Sequence, residues 1–287
     1  MQLNNKKAII TGGSMGLGKT ILKKFVLEGA DVVICARNEK ALSETAQEME
    51  LLYVREGQRV IPVKADISKE AEANHVAEAC AAAFGRVDIL VNNAGIHGAK
   101  GEIDLVDLEE WKRAIEVNLY GTVHMIRAAA PYMKKQNYGK IVSISGGGAT
   151  GARPYFTAYA ASKTAIVRLT ETIAKEWENY HIDINAIAPG AMNTRLLEDI
   201  LSAGENIGSE YQSALERKEN GGEPTDTGAN LCVFLASERS DGLSGRLISA
   251  VWDNWETLDT HIEQVAGSDI YTLRRIISKD RGYDWEK

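Results

Sequence analysis

Short apolar runs and longer amphipathic runs alternate along most of the chain, and this alternation restricts the possible fold more than any other sequence feature. Several of the short runs are almost continuously apolar, which is typical of strands that are covered on both faces. The predicted strands lie at 8–10, 32–35, 60–63, 89–91, 141–144, 184–188 and 247–251. The predicted helices lie at 39–56, 69–84, 107–135, 157–180 and 225–237. This order predicts an α/β fold, in which a parallel sheet has helices on both faces.

Composition and charge argue against several classes of protein. The 287 residues include 33 Lys and Arg against 40 Asp and Glu, a net charge of −7, so we expect no nucleic-acid partner. No run approaches the roughly 18 consecutive apolar residues of a membrane span, so we expect no membrane partner. The three cysteines, Cys35, Cys80 and Cys232, are scattered, and the histidines lack ligand spacing, so we predict neither a disulfide framework nor a metal site. A reduced, cytoplasmic location fits this composition.

A glycine-rich turn follows the first predicted strand. Residues 11–19 place Gly12, Gly16 and Gly18 at the spacing G-x-x-x-G-x-G, immediately before a helical pattern. Glycine lets the backbone turn sharply and approach a pyrophosphate, and the N-terminus of the next helix offers unpaired N–H groups and a partial positive charge. The position between a strand and a helix favours a nucleotide-binding turn over a purely structural one.

The chain resembles the short-chain dehydrogenase/reductase family over about residues 5–250. The motifs that carry the resemblance occur in the family's order: residues 11–18, Asp66-Ile67, Asn92-Asn93-Ala94-Gly95, Asn118, Tyr159-Ala160-Ala161-Ser162-Lys163, and Pro189-Gly190 with Thr194. The resemblance implies a doubly wound, seven-stranded parallel Rossmann sheet of order 3-2-1-4-5-6-7, with a nicotinamide cofactor over the carboxyl ends of the strands. It also implies the cofactor-binding residues, which are Gly12, Ser14, Met15, Gly16, Leu17, Gly18, Arg37, Asp66, Ile67, Asn92, Ala94, Gly95, Tyr159, Lys163, Pro189, Gly190 and Thr194.

The end of the second strand is where the choice of cofactor is expected. An acidic side chain there binds the ribose 2′-hydroxyl of NAD, whereas a basic one pairs with the 2′-phosphate of NADP. Ala36 occupies the position expected to be acidic, and Arg37 follows it. A guanidinium is a planar, bidentate phosphate ligand, and Ser14 offers a hydroxyl nearby. The sequence therefore favours NADP(H) over NAD(H); the alternative is that Arg37 is a solvated surface arginine.

Tyr159 and Lys163 are the predicted catalytic pair. They lie four residues apart on a predicted helix, so their side chains share one face. A phenol has a pKa near ~10 and is a poor base at neutral pH, but a nearby ammonium and a positive nicotinamide both favour phenolate. We therefore predict a lowered pKa for Tyr159, which exchanges a proton with the alcohol or carbonyl oxygen during hydride transfer. By resemblance, Lys163 also holds the ribose hydroxyls, and Asn118 supports a water chain that reaches Lys163.

One position departs from the family pattern. The family's usual serine lies thirteen residues before the tyrosine, and glycine, Gly146, stands there in this chain. Ser145 is one position earlier, and adjacent strand residues point to opposite faces. Three readings stay open: Ser145 is re-aimed into the site, a backbone N–H of the glycine run or Thr150 replaces the serine, or activity is reduced. Ser145 is therefore a candidate catalytic residue.

We assign residues 1–251 to one dinucleotide-binding and catalytic domain and residues 252–287 to a C-terminal extension. Segment 191–224 is loosely helical and looks like a substrate lid. Arg153 and Arg195 are candidates for binding an anionic group of the substrate, with ordinary surface arginines as the alternative. In the extension, apolar residues at helical spacing predict a helix over 269–278, which packs on its own domain or on a neighbouring subunit.

The predicted function is that of an NADP(H)-dependent oxidoreductase that interconverts a small secondary alcohol and a carbonyl by hydride transfer. One alternative is an epimerase or dehydratase of nucleotide sugars on the same fold. Another is a dinucleotide-binding sensor or scaffold whose catalysis is weakened by Gly146. Small and apolar residues beyond one stripe on segments 107–135 and 157–180 predict helix packing across a twofold axis. Together with the resemblance, they predict a homodimer or homotetramer.

Overall fold

A single seven-stranded parallel sheet organises the protein, and its strand order is β3-β2-β1-β4-β5-β6-β7. The computed structural model describes residues 1–285. The strands are β1 Lys7–Thr11, β2 Asp31–Ala36, β3 Val60–Lys64, β4 Ile89–Asn92, β5 Gly139–Ile144, β6 Ile182–Ala188 and β7 Leu247–Ser249. The predicted α/β class, parallel sheet and strand order are therefore confirmed.

Helices connect the strands and cover both faces of the sheet. They are α1 Gly16–Leu27, α2 Glu39–Glu50, α3 Glu70–Phe84, α4 Leu108–Ile115, α5 Gly121–Gln136, α6 Thr157–Glu176, α7 Arg195–Leu201, α8 Ser209–Asn220, α9 Thr225–Ala236 and α10 Ile262–Ala266. Successive strand residues point to opposite faces, so Ile10 belongs to the apolar cluster that contains Phe25 of α1 and Phe234 of α9. Ile9 belongs to the cluster on the other face, which contains Met125 of α5 and Ile173 of α6. Burial on both faces explains why the strands are apolar runs without alternation.

The predicted helix over 107–135 is interrupted. Asp107 accepts a hydrogen bond from the Glu110 N–H and starts α4, and Asn137, in the left-handed conformation, ends α5. Between α4 and α5, Glu116–Tyr120 forms a π-helical turn that contains Asn118. A π turn inserts an extra residue without changing the apolar character of the helix, so the sequence pattern does not indicate it; such turns are frequent at functional sites.

Segment 191–224 leaves the sheet and returns to it. A β-bridge between Met192 and Glu223 joins its two ends, and the segment in between folds as α7, a short 3₁₀ turn and α8. Its apolar side chains Leu197, Ile200 and Ile207 pack on Phe156 and Tyr159 in a cluster separate from the two sheet layers. The segment therefore covers the region around the predicted catalytic tyrosine.

The prediction of a helix over 269–278 is wrong. Most of this segment is irregular, and its only helical part is the start of the 3₁₀ turn Ser278–Arg281. Tyr271 has a positive φ of 62°, and its carbonyl accepts a hydrogen bond of 2.8 Å from the N–H of Leu247 at the edge strand β7. An edge strand has backbone N–H and C=O groups without a partner in the sheet. An irregular segment beside it can offer a free carbonyl to one of these N–H groups, whereas the carbonyls within a helix are already bonded internally. The tail also contacts α6, where Glu171 accepts a 2.6 Å hydrogen bond from the Leu273 N–H, so the extension lies on its own domain.

Candidate functional site

A cavity of about 1120 Å³ lies at the carboxyl ends of the strands. It runs from the glycine turn and the end of β2, past Tyr159 and Lys163, to the segment 191–224 and the tail. Parallel strands direct their carboxyl ends to one edge of a sheet, so residues far apart in sequence meet there. A cavity in this position is the expected place for a dinucleotide and a substrate.

The glycine turn has the close approach that a pyrophosphate site needs. Gly12 and Gly16 have positive φ values of 66° and 52°, and a Cβ on Gly18 would lie 2.2 Å from the Gly12 carbonyl oxygen. Within residues 1–285, no side chain caps the N-terminus of α1, where Met15, Gly16, Leu17 and Gly18 line the cavity. Unpaired N–H groups at a helix N-terminus bind phosphate, so the turn fits a dinucleotide.

The end of β4 holds the glycine turn in place. The Asn93 amide donates 2.8 Å to the Thr11 carbonyl, and the Thr11 hydroxyl accepts from the N–H groups of Asn93 and Ala94. Asn93, Ala94 and Gly95 line the cavity, but Asn92, which was predicted to bind the cofactor, does not. Asn92 is the last residue of β4, and its side chain is buried beside β5, where it donates to the Ser143 hydroxyl at 3.3 Å.

The far end of the cavity contains the residues expected to bind the adenosine half of the cofactor. Ala36, Arg37 and Ser14 line it. Arg37 is exposed, and its guanidinium has no hydrogen bond or ion pair within residues 1–285. Asp66 and Ile67 also line this end, and the Asp66 carboxylate is bound by Arg113 at 2.6 Å and by the Ser68 hydroxyl at 2.7 Å. The hydrogen bonds from Ser68 and Arg113 hold the pKa of Asp66 below its usual value despite partial burial.

Tyr159 and Lys163 line the cavity, whereas Asn118 does not line it but has its side chain close to Lys163. Tyr159 and Lys163 lie one turn apart on α6, and the Lys163 Nζ is 5.6 Å from the centre of the Tyr159 ring. The Lys163 ammonium donates 2.7 Å to the Ile144 carbonyl. The Asn118 side chain accepts from the Ile96 N–H and donates to the Ser162 hydroxyl, both at 2.9 Å. A Cβ on Gly95 would lie 3.3 Å from the Asn118 Oδ1 and 3.4 Å from the Lys163 Nζ, so only a small residue fits between them.

The predicted lowering of the Tyr159 pKa depends on a bound, positively charged nicotinamide and stays a prediction; without the cofactor the shift has the opposite direction. Burial raises the pKa of Tyr159 above its ordinary value, and the positive charge of Arg153 opposes this rise. Burial lowers the pKa of Lys163 to about 8. Desolvation disfavours the charged form of each group. Burial therefore favours the protonated phenol of Tyr159 and the neutral amine of Lys163.

Gly146 occupies the space beside the tyrosine hydroxyl. A Cβ at this position would lie 2.5 Å from the Tyr159 Oη. Ser145 lines the cavity, but its hydroxyl donates 3.3 Å to the Lys163 carbonyl. Ser145 is therefore already bonded to the α6 backbone, and the expectation that it is re-aimed to replace the missing serine gains no support; Thr150 and Gly147 remain among the lining residues.

His97 is a site residue that the sequence reasoning missed. Its ring packs edge-on against Tyr159, with ring centres 4.9 Å apart, and its Nδ1 lies 3.0 Å from the Asp199 carboxylate on α7. Lys100 donates 3.0 Å to the other Asp199 oxygen. Burial lowers the pKa of His97, whereas the hydrogen bonds from His97 and Lys100 hold the pKa of Asp199 at about 2. The contact joins residues 102 positions apart, so no local pattern indicates it.

Several arginines line the substrate end of the cavity, and the sequence predicted some of them but not Arg217. Arg153 lies over the ring of Tyr159, with its Cζ 5.3 Å from the ring centre, and two of its nitrogens bind the Glu210 carboxylate of α8 at 2.8 and 3.0 Å. Arg217, about two helical turns after Glu210 on α8, also lines the cavity. Arg195, the other arginine singled out in the sequence, is exposed at the rim.

The loop after β6 and the tail complete the cavity. Pro189, Gly190 and Thr194 line it, and the Thr194 hydroxyl accepts a 3.4 Å hydrogen bond from the Leu196 N–H at the start of α7. The tail residues Tyr271, Thr272 and Leu273 also line it, so the extension contributes to the cavity wall. Among residues 1–285 there is no cluster of metal-ligating side chains, and no described helix is long and apolar enough to cross a membrane.

Comparisons with known proteins give a consistent result. A family model described as short chain dehydrogenase matches residues 6–204. The chain is 33% identical to a 3-oxoacyl-[acyl-carrier-protein] reductase of Thermotoga maritima over 250 residues, covering 86% of this chain and 97% of that protein. It is 32% identical to the 7alpha-hydroxysteroid dehydrogenase of Escherichia coli K12 over 249 residues, covering 87% and 94%. A solved short-chain type dehydrogenase/reductase from Mycobacterium ulcerans superposes with a TM-score of 0.78 at 28% identity, covering 94% and 98%.

Proposed function

The chain belongs to the short-chain dehydrogenase family, and from this premise we propose that it is an NADP(H)-dependent oxidoreductase that interconverts a secondary alcohol and a carbonyl. The observation that carries the proposal is one continuous cavity, which joins the uncapped N-terminus of α1 to Tyr159 and Lys163. This arrangement brings a dinucleotide and an acid/base group to the same substrate.

The chemistry divides between the cofactor and the chain. When bound, the nicotinamide supplies or accepts the hydride. In reduction, Tyr159 donates its hydroxyl proton to the carbonyl oxygen as that oxygen gains charge; in oxidation, the phenolate takes the proton of the alcohol. Lys163 lies beside the phenol and would hold the ribose, and Asn118 is fixed by Ile96 and Ser162 next to Lys163.

NADP(H) is the proposed cofactor because of the charges at the end of β2. Ala36 offers no carboxylate to a ribose 2′-hydroxyl, and Arg37 presents an unpaired guanidinium at the cavity. The backbone N–H groups at the N-terminus of α1 would hold the pyrophosphate. An unpaired cation at position 37 and the lack of a carboxylate at position 36 support the phosphorylated cofactor.

Replacement of Tyr159 tests the proposed reaction. A panel of carbonyl and alcohol compounds is screened by following NADPH absorbance with the wild-type protein, Tyr159→Phe and Tyr211→Phe. Tyr211 lies partly buried in the same apolar cluster, so its variant controls for loss of a hydroxyl near the lid. We expect Tyr159→Phe to abolish nearly all turnover with cofactor affinity retained, and Tyr211→Phe to remain active.

The same screen separates the alternatives. Retained activity in Tyr159→Phe contradicts the acid/base role. Tight NADPH binding without turnover of any compound supports a dinucleotide-binding sensor, for which Gly146 is the structural argument. Net conversion of nucleotide sugars without net change in NADPH absorbance supports an epimerase or dehydratase.

We also propose that the chain forms a dimer or tetramer. The small residues that motivated this prediction are not all available, because Ala129 and Ala158 are fully buried in their own chain. Apolar side chains that are more than half exposed lie instead around α4 and the π turn, and these are Ile103, Leu105, Leu108 and Tyr120. Light scattering at micromolar concentration tests the proposal, and a mass near one chain of 31.3 kDa contradicts it. A cytoplasmic location stays part of the proposal, supported by three free, buried cysteines.

A further inference from the structure

The substrate end of the cavity carries a cation without a counter-ion. Arg217 lines the cavity and is partly buried, and its guanidinium has no hydrogen bond or ion pair in the described part of the chain. Burial lowers the pKa of Arg217, the charge of Arg153 lowers it further, and the charge of Glu210 opposes this lowering only in part. A partly buried, unpaired charge is unfavourable, so this position gains from an anion that the chain does not supply.

The neighbouring charges do not neutralise Arg217. The Glu210 carboxylate interacts electrostatically with Arg217, but both of its side-chain hydrogen bonds are from Arg153, at 2.8 and 3.0 Å. The cluster of Arg153, Glu210 and Arg217 therefore has a formal charge of +1. Such a cluster matches one singly charged carboxylate better than a phosphate dianion.

The cluster also lies next to the reacting position. Arg153 is stacked over Phe156 and Tyr159, with its Cζ 4.2 and 5.3 Å from the two ring centres. A substrate oxygen that meets the Tyr159 hydroxyl is therefore close to the Arg153 guanidinium. Arg217 lines the same cavity and interacts electrostatically with Arg153, so a carboxylate attached a few atoms from the carbonyl lies on the side of the site where these two arginines are.

We propose that the substrate is a short oxo acid or hydroxy acid, whose carboxylate is bound by Arg217 with support from Arg153. This proposal rests on the oxidoreductase function proposed above and specifies its substrate class. Arg217 is a binding residue, and its charge fixes the position of the carbonyl relative to Tyr159. The substrate carboxylate neutralises the one positive charge that remains in the cluster after Glu210 has paired with Arg153.

The test compares oxo acids with their methyl esters. A series of oxo acids that differ in the spacing between carbonyl and carboxylate is assayed with NADPH, each beside its ester. Arg217→Gln is compared with Lys218→Gln, which makes the same charge change on the next residue of α8, where an exposed lysine lies 3.7 Å from Glu198. We expect the wild type and Lys218→Gln to prefer at least one acid over its ester by about 10- to 100-fold in kcat/KM. Arg217→Gln should lose this preference, mainly through a higher KM for the acid.

A binding measurement and a rescue variant complete the experiment. The preferred acid should raise the Tm of the wild type and Lys218→Gln but not that of Arg217→Gln, and Arg217→Lys should regain part of the preference because it keeps the charge. An unchanged ratio of acid to ester in folded Arg217→Gln overturns the proposal, as does a wild type that prefers the esters. If neutral carbonyl compounds are reduced without any preference for acids, only this inference fails. If no compound of any class is turned over, the oxidoreductase function fails as well.

Discussion

Substitution of Gly146 by alanine should impair catalysis even though the backbone accepts alanine. Gly146 has φ and ψ of 179° and 172°, an extended conformation that any residue adopts. The obstacle is the tyrosine, because an added Cβ would lie 2.5 Å from the Tyr159 Oη, 3.2 Å from its Cζ and 3.3 Å from its Cε1. The variant therefore requires either residue 146 or the Tyr159 hydroxyl, the proposed proton donor, to move.

The size of the required movement follows from the contact distance. Ordinary van der Waals contacts of a Cβ begin at 3.4 Å, so the hydroxyl is about 0.9 Å too close. Tyr159 is packed against His97 on one side and Arg153 on another, with centres at 4.9 and 5.3 Å, so the ring has little room to turn. Misplacement of a reacting group by about 1 Å costs up to roughly 10²-fold in rate. We expect kcat to fall by about 10- to 100-fold in Gly146→Ala, and Gly146→Ser to fall at least as far, although serine is the residue the family usually has there.

The assay is steady-state reduction of the best substrate from the carbonyl screen, with NADPH affinity and Tm measured on the same preparations. Gly147→Ala is the matched control, because a Cβ at that neighbouring glycine meets no heavy atom within 4 Å. The control should retain wild-type rates. Wild-type kcat in Gly146→Ala, or a higher kcat in Gly146→Ser, would refute the steric reasoning.

Three further predictions concern charge. Arg37→Ala should reduce the preference for NADPH over NADH by about 10- to 100-fold in binding titrations, since a charge-assisted bond to phosphate is lost; Lys40→Ala, an exposed cation on α2, should leave the preference unchanged, and equal affinity of the wild type for both cofactors contradicts the assignment. Lys163→Met should stabilise the cofactor-free protein at pH 7 by about 1–3 kcal/mol in denaturant unfolding. Because the pKa of Lys163 falls from 10.5 to about 8 on folding, the cost of its buried charge is full below pH 8 and disappears as pH rises toward 10.5; a difference between the variant and the wild type that is constant with pH contradicts this. Since burial raises the pKa of Tyr159, alcohol oxidation, which needs the phenolate, should rise more steeply with pH than carbonyl reduction, and parallel pH profiles in the two directions count against a raised pKa.

The fold was predictable because the sequence patterns that specify it are short and recur along the chain. Seven short apolar runs and the helical patterns between them determine a parallel sheet covered on both faces, and the strand order follows from the family resemblance. The tail shows that helical spacing of apolar residues is not sufficient to predict a helix. Ile270 and Ile276 have helical spacing with Leu273, yet both are largely exposed, and the backbone of the tail pairs with β7 and α6 instead. A preference for helix in isolation was outweighed by hydrogen bonds that only the folded domain offers.

The candidate site also has one part that consecutive residues predict and another part that depends on contacts between distant segments. The glycine turn and the Tyr159–Lys163 pair are each contained in a few consecutive residues, so their chemistry is visible in the sequence. Asn92 and Asn93 differ in a way that the motif does not indicate, because the Asn92 amide donates to Ser143 of β5 whereas the Asn93 amide donates to the glycine turn; a part for Asn92 in cofactor binding stays a prediction. The substrate end depends on contacts such as His97 with Asp199, which only the path of the segment 191–224 creates.

Arg153 connects that segment to the proton transfer itself. Its guanidinium lies over the Tyr159 ring and lowers the pKa of the phenol, in opposition to burial, while Glu210 of α8 holds the same guanidinium in an ion pair. Because Glu210 carries the opposite charge, it also reduces the effect that Arg153 exerts on the phenol. Any change that separates Glu210 from Arg153, by movement of α8 or by a competing substrate carboxylate, alters the charge felt at the Tyr159 hydroxyl. The segment 191–224, which packs around Tyr159, therefore also contributes to the electrostatics of the proposed acid/base group.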